Sequence, residues 1–209
     1  MMQANWSFFL KEQKNKRILL LTILALGITL FAFLHFLTFN ESRNGYVFND
    51  PILYLFLPVD VSVFTFLITY SFCLFGLIVA LRNPFLFIKL LQAYTIMTLL
   101  RMLCLYLVPL EPPVNIIPLK DILLQSSFYS GRDNLKDLFF SGHTTTLFLF
   151  AFAFKNQLLK IIFMIVGCVV GMLLILQHVH YSIDVAAGPV VAYVVLKIQE
   201  KFLEKKSGY

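Results

Sequence analysis

Six apolar runs, each set off by charged or proline-containing segments, leave this chain few ways to fold. They cover 18–39, 61–81, 85–108, 140–154, 161–176 and 183–198. A bilayer core requires about 20 apolar residues per helix, and several of the runs reach that length. Backbone inside lipid must satisfy its own hydrogen bonds, so the choices are helices or a closed barrel. The runs are continuous and do not alternate, which selects helices. The expected fold is all-α, a membrane bundle of six spans forming one domain over 1–209, with a polar segment at 1–16 and a tail at 199–209. The chain is 59% hydrophobic and 13% charged, whereas soluble domains carry about 25% charge. A net charge of +6 raises the possibility of a nucleic-acid partner. Basic residues flanking the spans account for it better, and no nucleic-acid partner is expected.

Taken in order, Trp6, Phe8 and Phe9 stand in a basic N-terminal segment that suits either an interfacial anchor or a frayed end. The run from Ile18 is too long for a signal-peptide core and no small-residue cleavage site follows it, so a retained span is expected. His35 near its far end reads as packed or interfacial. The loop 40–60 carries Glu41, Arg43 and Asp50 around an apolar centre, Ile52 to Leu57. Arg82-Asn83-Pro84 ends the second run, because proline and the residue before it resist helix continuation. Lys89 can snorkel to the surface. The connection 109–139 holds Pro112, Pro113 and Pro118, then Lys120, Asp121, Arg132, Asp133, Lys136 and Asp137, and connections of this length are often functional. Gly167 and Gly171 are spaced for close helix packing. Cys73, Cys104 and Cys168 all fall within apolar runs and read as buried packing residues. Their spacing suggests neither a metal site nor a disulfide framework.

With six spans both termini share a side. That side collects Lys11, Lys14, Lys16, Arg17, Arg82, Lys89, Lys155, Lys160 and the C-terminal lysines. The positive-inside rule then puts the termini in the cytoplasm. The same topology brings two polar segments, Ser141-Gly142-His143-Thr144 and His178 to Asp184, to the opposite face.

Ionisable residues at membrane depth are functional candidates by default. His180 and Asp184 are one helical turn apart, so Asp184 can orient one ring nitrogen and leave the other as a nucleophile. An interfacial polar pair is the plainer alternative. A helix starting at Ser141 offers free N–H groups and the positive end of its dipole, both suited to a phosphate. Gly142 allows close backbone approach. Ser141 or Thr144 can cap the helix or hold a phosphate oxygen, and His143 can protonate a leaving oxygen. Arg101 lies roughly 10 Å inside its span. It is expected to face the bundle, there to clamp a phosphate or to pair with Asp184 or Asp137.

Ser141-Gly142-His143-Thr144 and His180-Tyr181-Ser182-Ile183-Asp184-Val185 resemble the sphingomyelin synthase branch of the type 2 phosphatidic acid phosphatase superfamily. Asp137 fits the acidic position ahead of that branch's Ser-Gly-His-Thr. Arg101, with Tyr106, Leu110 and Pro113 behind it, resembles the branch's third-span motif. The resemblance implies His180 as nucleophile, Asp184 as its orienting acid and His143 as general acid and base. It implies a phosphohistidine intermediate and no metal or other cofactor. Arg101, Ser141, Gly142, Thr144, Asp137 and Tyr181 are the expected substrate-binding residues. The implied reaction moves phosphocholine or phosphoethanolamine from a glycerophospholipid to a ceramide or diacylglycerol acceptor, so membrane lipids are the expected partners.

The sequence also departs from the motifs it resembles. The Lys…Arg-Pro motif of the lipid phosphatases is absent, and Leu173-Leu174 stands where they carry an arginine. Leu135-Lys136 replaces a Cys-Gly, and Glu111 interrupts the Leu-Pro element. A phosphate monoester favours several cationic clamps and a diester needs fewer, so the sparse cations lean toward head-group transfer. Hydrolysis by the same histidines is the first alternative. A non-enzymatic lipid-binding or transport protein is the second.

Overall fold

The computed structural model describes residues 5–119 and 134–207, with side chains through Lys201. Lys120, Asp121, Arg132, Asp133 and the side chains of Lys205 and Lys206 lie outside the described residues. Among the described residues seven α-helices follow in order: α1 Trp6–Phe9, α2 Gln13–Glu41, α3 Ser62–Leu81, α4 Pro84–Leu107, α5 Gly142–Ala153, α6 Gln157–Leu176 and α7 Ser182–Ser207. A single 3-10 turn, Leu53–Leu55, interrupts the first loop.

Five of the six expected spans, α2, α3, α4, α6 and α7, are long and apolar enough to cross a membrane. The expected fourth, α5, has 12 residues. At 1.5 Å per residue it is about 18 Å long, short of the roughly 30 Å of a hydrocarbon core. Its position explains how so short an apolar helix is accommodated. Nine of its residues, among them Thr144, Thr145, Leu147 and Phe150, are buried, and α3, α4, α6 and α7 all contact it. The helix is a central pillar that its neighbours wrap.

The turns follow from local chemistry. Asn83 caps α4 by accepting from the Phe85 and Leu86 N–H groups (3.1 and 3.3 Å). Pro84 stands in the first turn, where its missing N–H costs nothing. Asn156 likewise caps α6 through the Leu159 N–H. The helix therefore starts at Gln157, before the expected Ile161. Trp6 and Phe9 settle the question of the N-terminal segment: the Trp6 indole donates to the Leu81 carbonyl (2.6 Å), and Phe9 packs edge-on against Phe85 (5.1 Å). The segment docks on the α3–α4 turn. At the same end Lys89 pairs with Glu200 (2.8 Å).

Packing around α5 rests on glycine against phenylalanine. A Cβ at Gly167 would stand 2.8 Å from the Phe148 ring, one at Gly76 2.8 Å from Phe150, and one at Gly171 2.6 Å from Val185. Lipid removes the hydrophobic drive between helices, so such close approach supplies the dispersion contact that holds the bundle. Phe150, Phe154 and Phe163 interlock in the core. The cysteines depart in part from expectation. Cys73 and Cys104 are half-buried, but Cys168 is exposed on the outer face of α6, because that position falls opposite the stripe that meets α5.

Candidate active site

One end of the bundle gathers the C-termini of α2, α4 and α6 and the N-termini of α3, α5 and α7. Buried and half-buried polar groups lock these ends together. Gln177, fully buried, donates to Ser62 Oγ (2.8 Å) and the Ile117 carbonyl (3.0 Å) and accepts from the Val61 N–H (3.2 Å). Glu41 accepts from the Leu135 and Lys136 N–H groups (3.1 and 3.0 Å). Arg43 donates to the Tyr106 carbonyl (3.0 Å) and lies over the Tyr106 ring (4.9 Å).

Ser141 caps α5. Its Oγ accepts from the Thr144 N–H (3.5 Å) and lies 3.1 Å from Thr144 Oγ1. The Gly142 and His143 N–H groups precede the first intrahelical bond and have no acceptor within the helix. The Ser141 N–H donates to the Asp184 carbonyl (3.1 Å), which fixes the start of α5 against the start of α7. Gly188 continues that seam: a Cβ there would stand 3.1 Å from Thr144 Cγ2.

Arg101 is buried and pairs with Asp137. Its Nε lies 3.0 Å and a terminal nitrogen 2.8 Å from Oδ1. Of the two arrangements open to this arginine, pairing is the one observed, and Asp137 is the partner. The guanidinium also lies directly on Gly142, where a Cβ would occupy the place of its other terminal nitrogen. Any larger residue here would force the Arg101 guanidinium to move, a demand beyond the close approach expected from the sequence. The pair delivers a neutralised but strongly donor-rich group to the α5 N-terminus.

His180 and Asp184 are both buried. His180 Nδ1 lies 3.5 Å from Asp184 Oδ2, and the same oxygen accepts the Tyr181 N–H (3.1 Å). Among the described residues His180 Nδ1 and Asp184 Oδ1 have no hydrogen-bond partner. A long contact of this kind is common before substrate arrives. His143 is half-buried, its ring edge-on to Phe66 of α3 (6.0 Å). Tyr181, at 1% exposure, donates from its hydroxyl to the Glu111 carbonyl (3.0 Å) and accepts from the Phe48 N–H (3.3 Å). Burial pushes its phenol above the ordinary value. His35 takes no part in these contacts. It is exposed on α2, with Nδ1 2.9 Å from the Phe31 carbonyl.

The structure thus joins Ser141, Gly142, Thr144, Arg101 and Asp137 to Asp184, and Asp184 to His180 and Tyr181. It also adds residues that sequence reasoning did not single out. Asp50 is 2% exposed and accepts the Ser182 N–H at 2.5 Å, capping α7 from a distant loop. Asn49-Asp50-Pro51 is legible as a turn, but its partner on α7 is not. Glu111 accepts from Lys136 Nζ (2.9 Å) and the Gly45 N–H (2.7 Å). These bonds, the lysine's foremost, hold its carboxyl below the ordinary glutamate range.

The pH consequence follows from the direction of that shift. A lowered pKa means stabilisation that is complete above the unfolded value, about 4.3, and is lost as pH falls through the folded value. Melting temperature in detergent is therefore expected to drop below about pH 4.3. Glu111→Gln should flatten that part of the profile, and an unchanged profile would remove Glu111 from the lock.

Among the described residues no cluster of three His, Cys, Asp or Glu side chains is placed to hold a metal ion. Comparison with curated proteins and with solved structures returned no match. Residues 136–201, which span Asp137, the α5 cap, His180 and Asp184, match the family model for the PAP2 superfamily C-terminal region, and this match supports membership of the PAP2 superfamily.

Proposed function

We propose that the chain is a lipid head-group phosphotransferase of the sphingomyelin synthase type, working through a phosphohistidine at a site on the non-cytoplasmic face. The superfamily match points to phosphatase- or phosphotransferase-type lipid chemistry. The observation that carries the finer reading is the bond from the Ser141 N–H to the Asp184 carbonyl. It sets the phosphate-suited start of α5, with Arg101 lying on it, against the turn that carries the His180–Asp184 pair.

In this reading Asp184 holds the proton on Nδ1 of His180 and leaves Nε2 with a free lone pair. Nε2 attacks the phosphorus of a glycerophospholipid. The bond from phosphorus to the diacylglycerol oxygen breaks, and that oxygen takes a proton from His143. An acceptor hydroxyl then gives its proton to His143 as its oxygen attacks the phosphohistidine. The P–N bond breaks and its electron pair returns to His180. Arg101, with the N-terminal end of α5, holds the non-bridging phosphate oxygens. Arg101 is the one basic side chain in this cradle among the described residues, and its charge is already shared with Asp137. That suits a singly charged diester better than a monoester dianion.

Lipid mass spectrometry on the purified protein in liposomes tests the proposal. The liposomes would contain phosphatidylcholine, phosphatidylethanolamine and phosphatidic acid, with and without ceramide. Transfer yields a ceramide phospho-head-group together with diacylglycerol. Diacylglycerol formed without ceramide, alongside free phosphate or a free phospho-head-group, would establish hydrolysis instead. No change in any lipid would overturn the reading.

A further inference from the structure

The C-terminal end of α2 lies outside the matched residues 136–201, yet it reaches both halves of the Arg101–Asp137 pair. Along most of its length α2 is peripheral. Thr22, Thr29, Leu37 and Asn40 are the buried residues among its 29, and it packs chiefly on α4. Its last turn makes a different kind of contact.

Two bodies place the pair. Arg101 is carried by α4. Asp137 is carried by residues 134–137, which form neither helix nor strand. Such a segment has no regular ladder for its backbone groups, so its position is set by whatever else bonds them. Here α2 does so. Glu41 Oε2 accepts from the Leu135 and Lys136 N–H groups (3.1 and 3.0 Å). The side-chain amide of Asn40, a residue 3% exposed, donates to the Lys136 carbonyl (2.8 Å). Three backbone groups in the two residues ahead of Asp137 are thus taken by one turn of α2. The Lys136 ammonium closes the loop by donating to the Arg43 carbonyl (2.6 Å).

The same end of α2 grips the helix that carries Arg101. Arg43 donates to the Leu105 and Tyr106 carbonyls (3.4 and 3.0 Å). These belong to the last turn of α4, where carbonyls lack partners within the helix, and Leu105 is one turn beyond Arg101. Further back along α2, the Phe33 ring lies 5.8 Å from the Arg101 guanidinium carbon, a distance at which a ring face attracts a cation.

We infer that the end of α2 is a bracket for the phosphate site, in which Glu41 and Arg43 are positioning residues that hold Asp137 and Arg101 at the spacing that sets the guanidinium on Gly142. In this role neither bonds the phosphate, and each acts through the pair. What the guanidinium then does rests on the phosphotransfer reading given above; how it is held rests on these bonds alone. The contact with Gly142 leaves the guanidinium little slack. A shift of residues 134–137 is therefore passed through the 2.8 Å contact with Asp137 to the group that meets the phosphate. A misplacement of about 1 Å at such a group costs about a hundredfold in rate.

A double-mutant cycle on the full-length protein tests this. Glu41→Ala removes the acceptor of two N–H groups and is expected to lower kcat/KM about ten- to a hundredfold. Glu41→Gln keeps an acceptor oxygen and should stay within about threefold of wild type. In an Asp137→Ala background the bracket has no carboxylate to place, and Glu41→Ala should cost less than about threefold. A merely structural loss, such as a smaller folded fraction, multiplies through equally in both backgrounds. Equal costs would therefore overturn the proposal, as would wild-type kcat/KM in Glu41→Ala or a fall in Glu41→Gln as large as in Glu41→Ala. Turnover is read as whichever lipid product mass spectrometry finds, transferred or hydrolysed. The proteins of the cycle are also melted in detergent, which needs no turnover. Glu41→Ala should lower Tm, and by less in the Asp137→Ala background. Should Asp137→Ala fail to fold, Asp137→Asn, which gives up the ion pair and keeps an oxygen, takes its place. The two readings fail separately. Equal costs with lipid turnover intact remove the bracket and keep the phosphotransfer reading. Coupled melting temperatures with no lipid turned over do the reverse.

Discussion

His180→Ala is expected to remove turnover almost completely, by a factor on the order of 10⁴ to 10⁶, while the protein still folds. His180 is buried, but its partner Asp184 is held independently by the Tyr181 N–H and by its own backbone bond to Ser141. Removing the imidazole therefore leaves the junction of α5 and α7 in place. Asp184→Asn should cost about 10²- to 10⁴-fold. An amide keeps an oxygen for the Tyr181 N–H, yet it cannot stabilise a developing imidazolium. The two variants are separated by trapping acid-labile phosphoprotein after a brief pulse of labelled phospholipid. His180→Ala should form none, and Asp184→Asn should form it slowly. Retained turnover in His180→Ala would exclude this histidine as nucleophile.

Gly142→Ala is the second variant with a large expected effect, and its cause is steric. The added methyl would occupy the place of an Arg101 guanidinium nitrogen. Arg101 is anchored to Asp137 at 2.8 Å and has little room to retreat. Either the pair separates, leaving charge uncompensated in a buried setting at about 3–5 kcal/mol, or the start of α5 moves away from Asp184. Both outcomes displace the phosphate-binding groups from His180. The expected result is a fall in kcat/KM of about 10²-fold or more. Melting temperature in detergent should drop as well. Arg101→Lys offers a comparison, since it retains the charge but loses the two-nitrogen grip on Asp137 and the planar contact with Gly142. An alanine variant with wild-type activity would show that Arg101 can leave Gly142 freely.

The motifs at Ser141–Thr144 and His180–Asp184 were legible because their chemistry is local. An N-cap needs its serine beside the residues it caps, and His180, just ahead of α7, stays within reach of Asp184 in the first turn of that helix. Arg101 announced itself by being charged inside an apolar run. The roles of Gly142 and Asp50 were not legible. Gly142 is fixed by the guanidinium that rests on it, and Asp50 by a helix N-terminus far along the chain.

Apolar run length determined the class of this protein, its loop positions and most helix boundaries, because lipid forces each span to satisfy its backbone alone, although α2, α6 and α7 extend past their apolar runs into polar sequence. Only the tertiary structure decided that the 140–154 run is a short pillar inside the other helices. Hydropathy alone cannot separate a helix that crosses lipid from one wrapped by protein, since both are apolar on every side. Likewise only the fold could choose between Asp184 and Asp137 as the partner of Arg101. Asp137 lies on the segment leading into α5, and it is there that the Arg101 guanidinium finds its carboxylate at 2.8 Å.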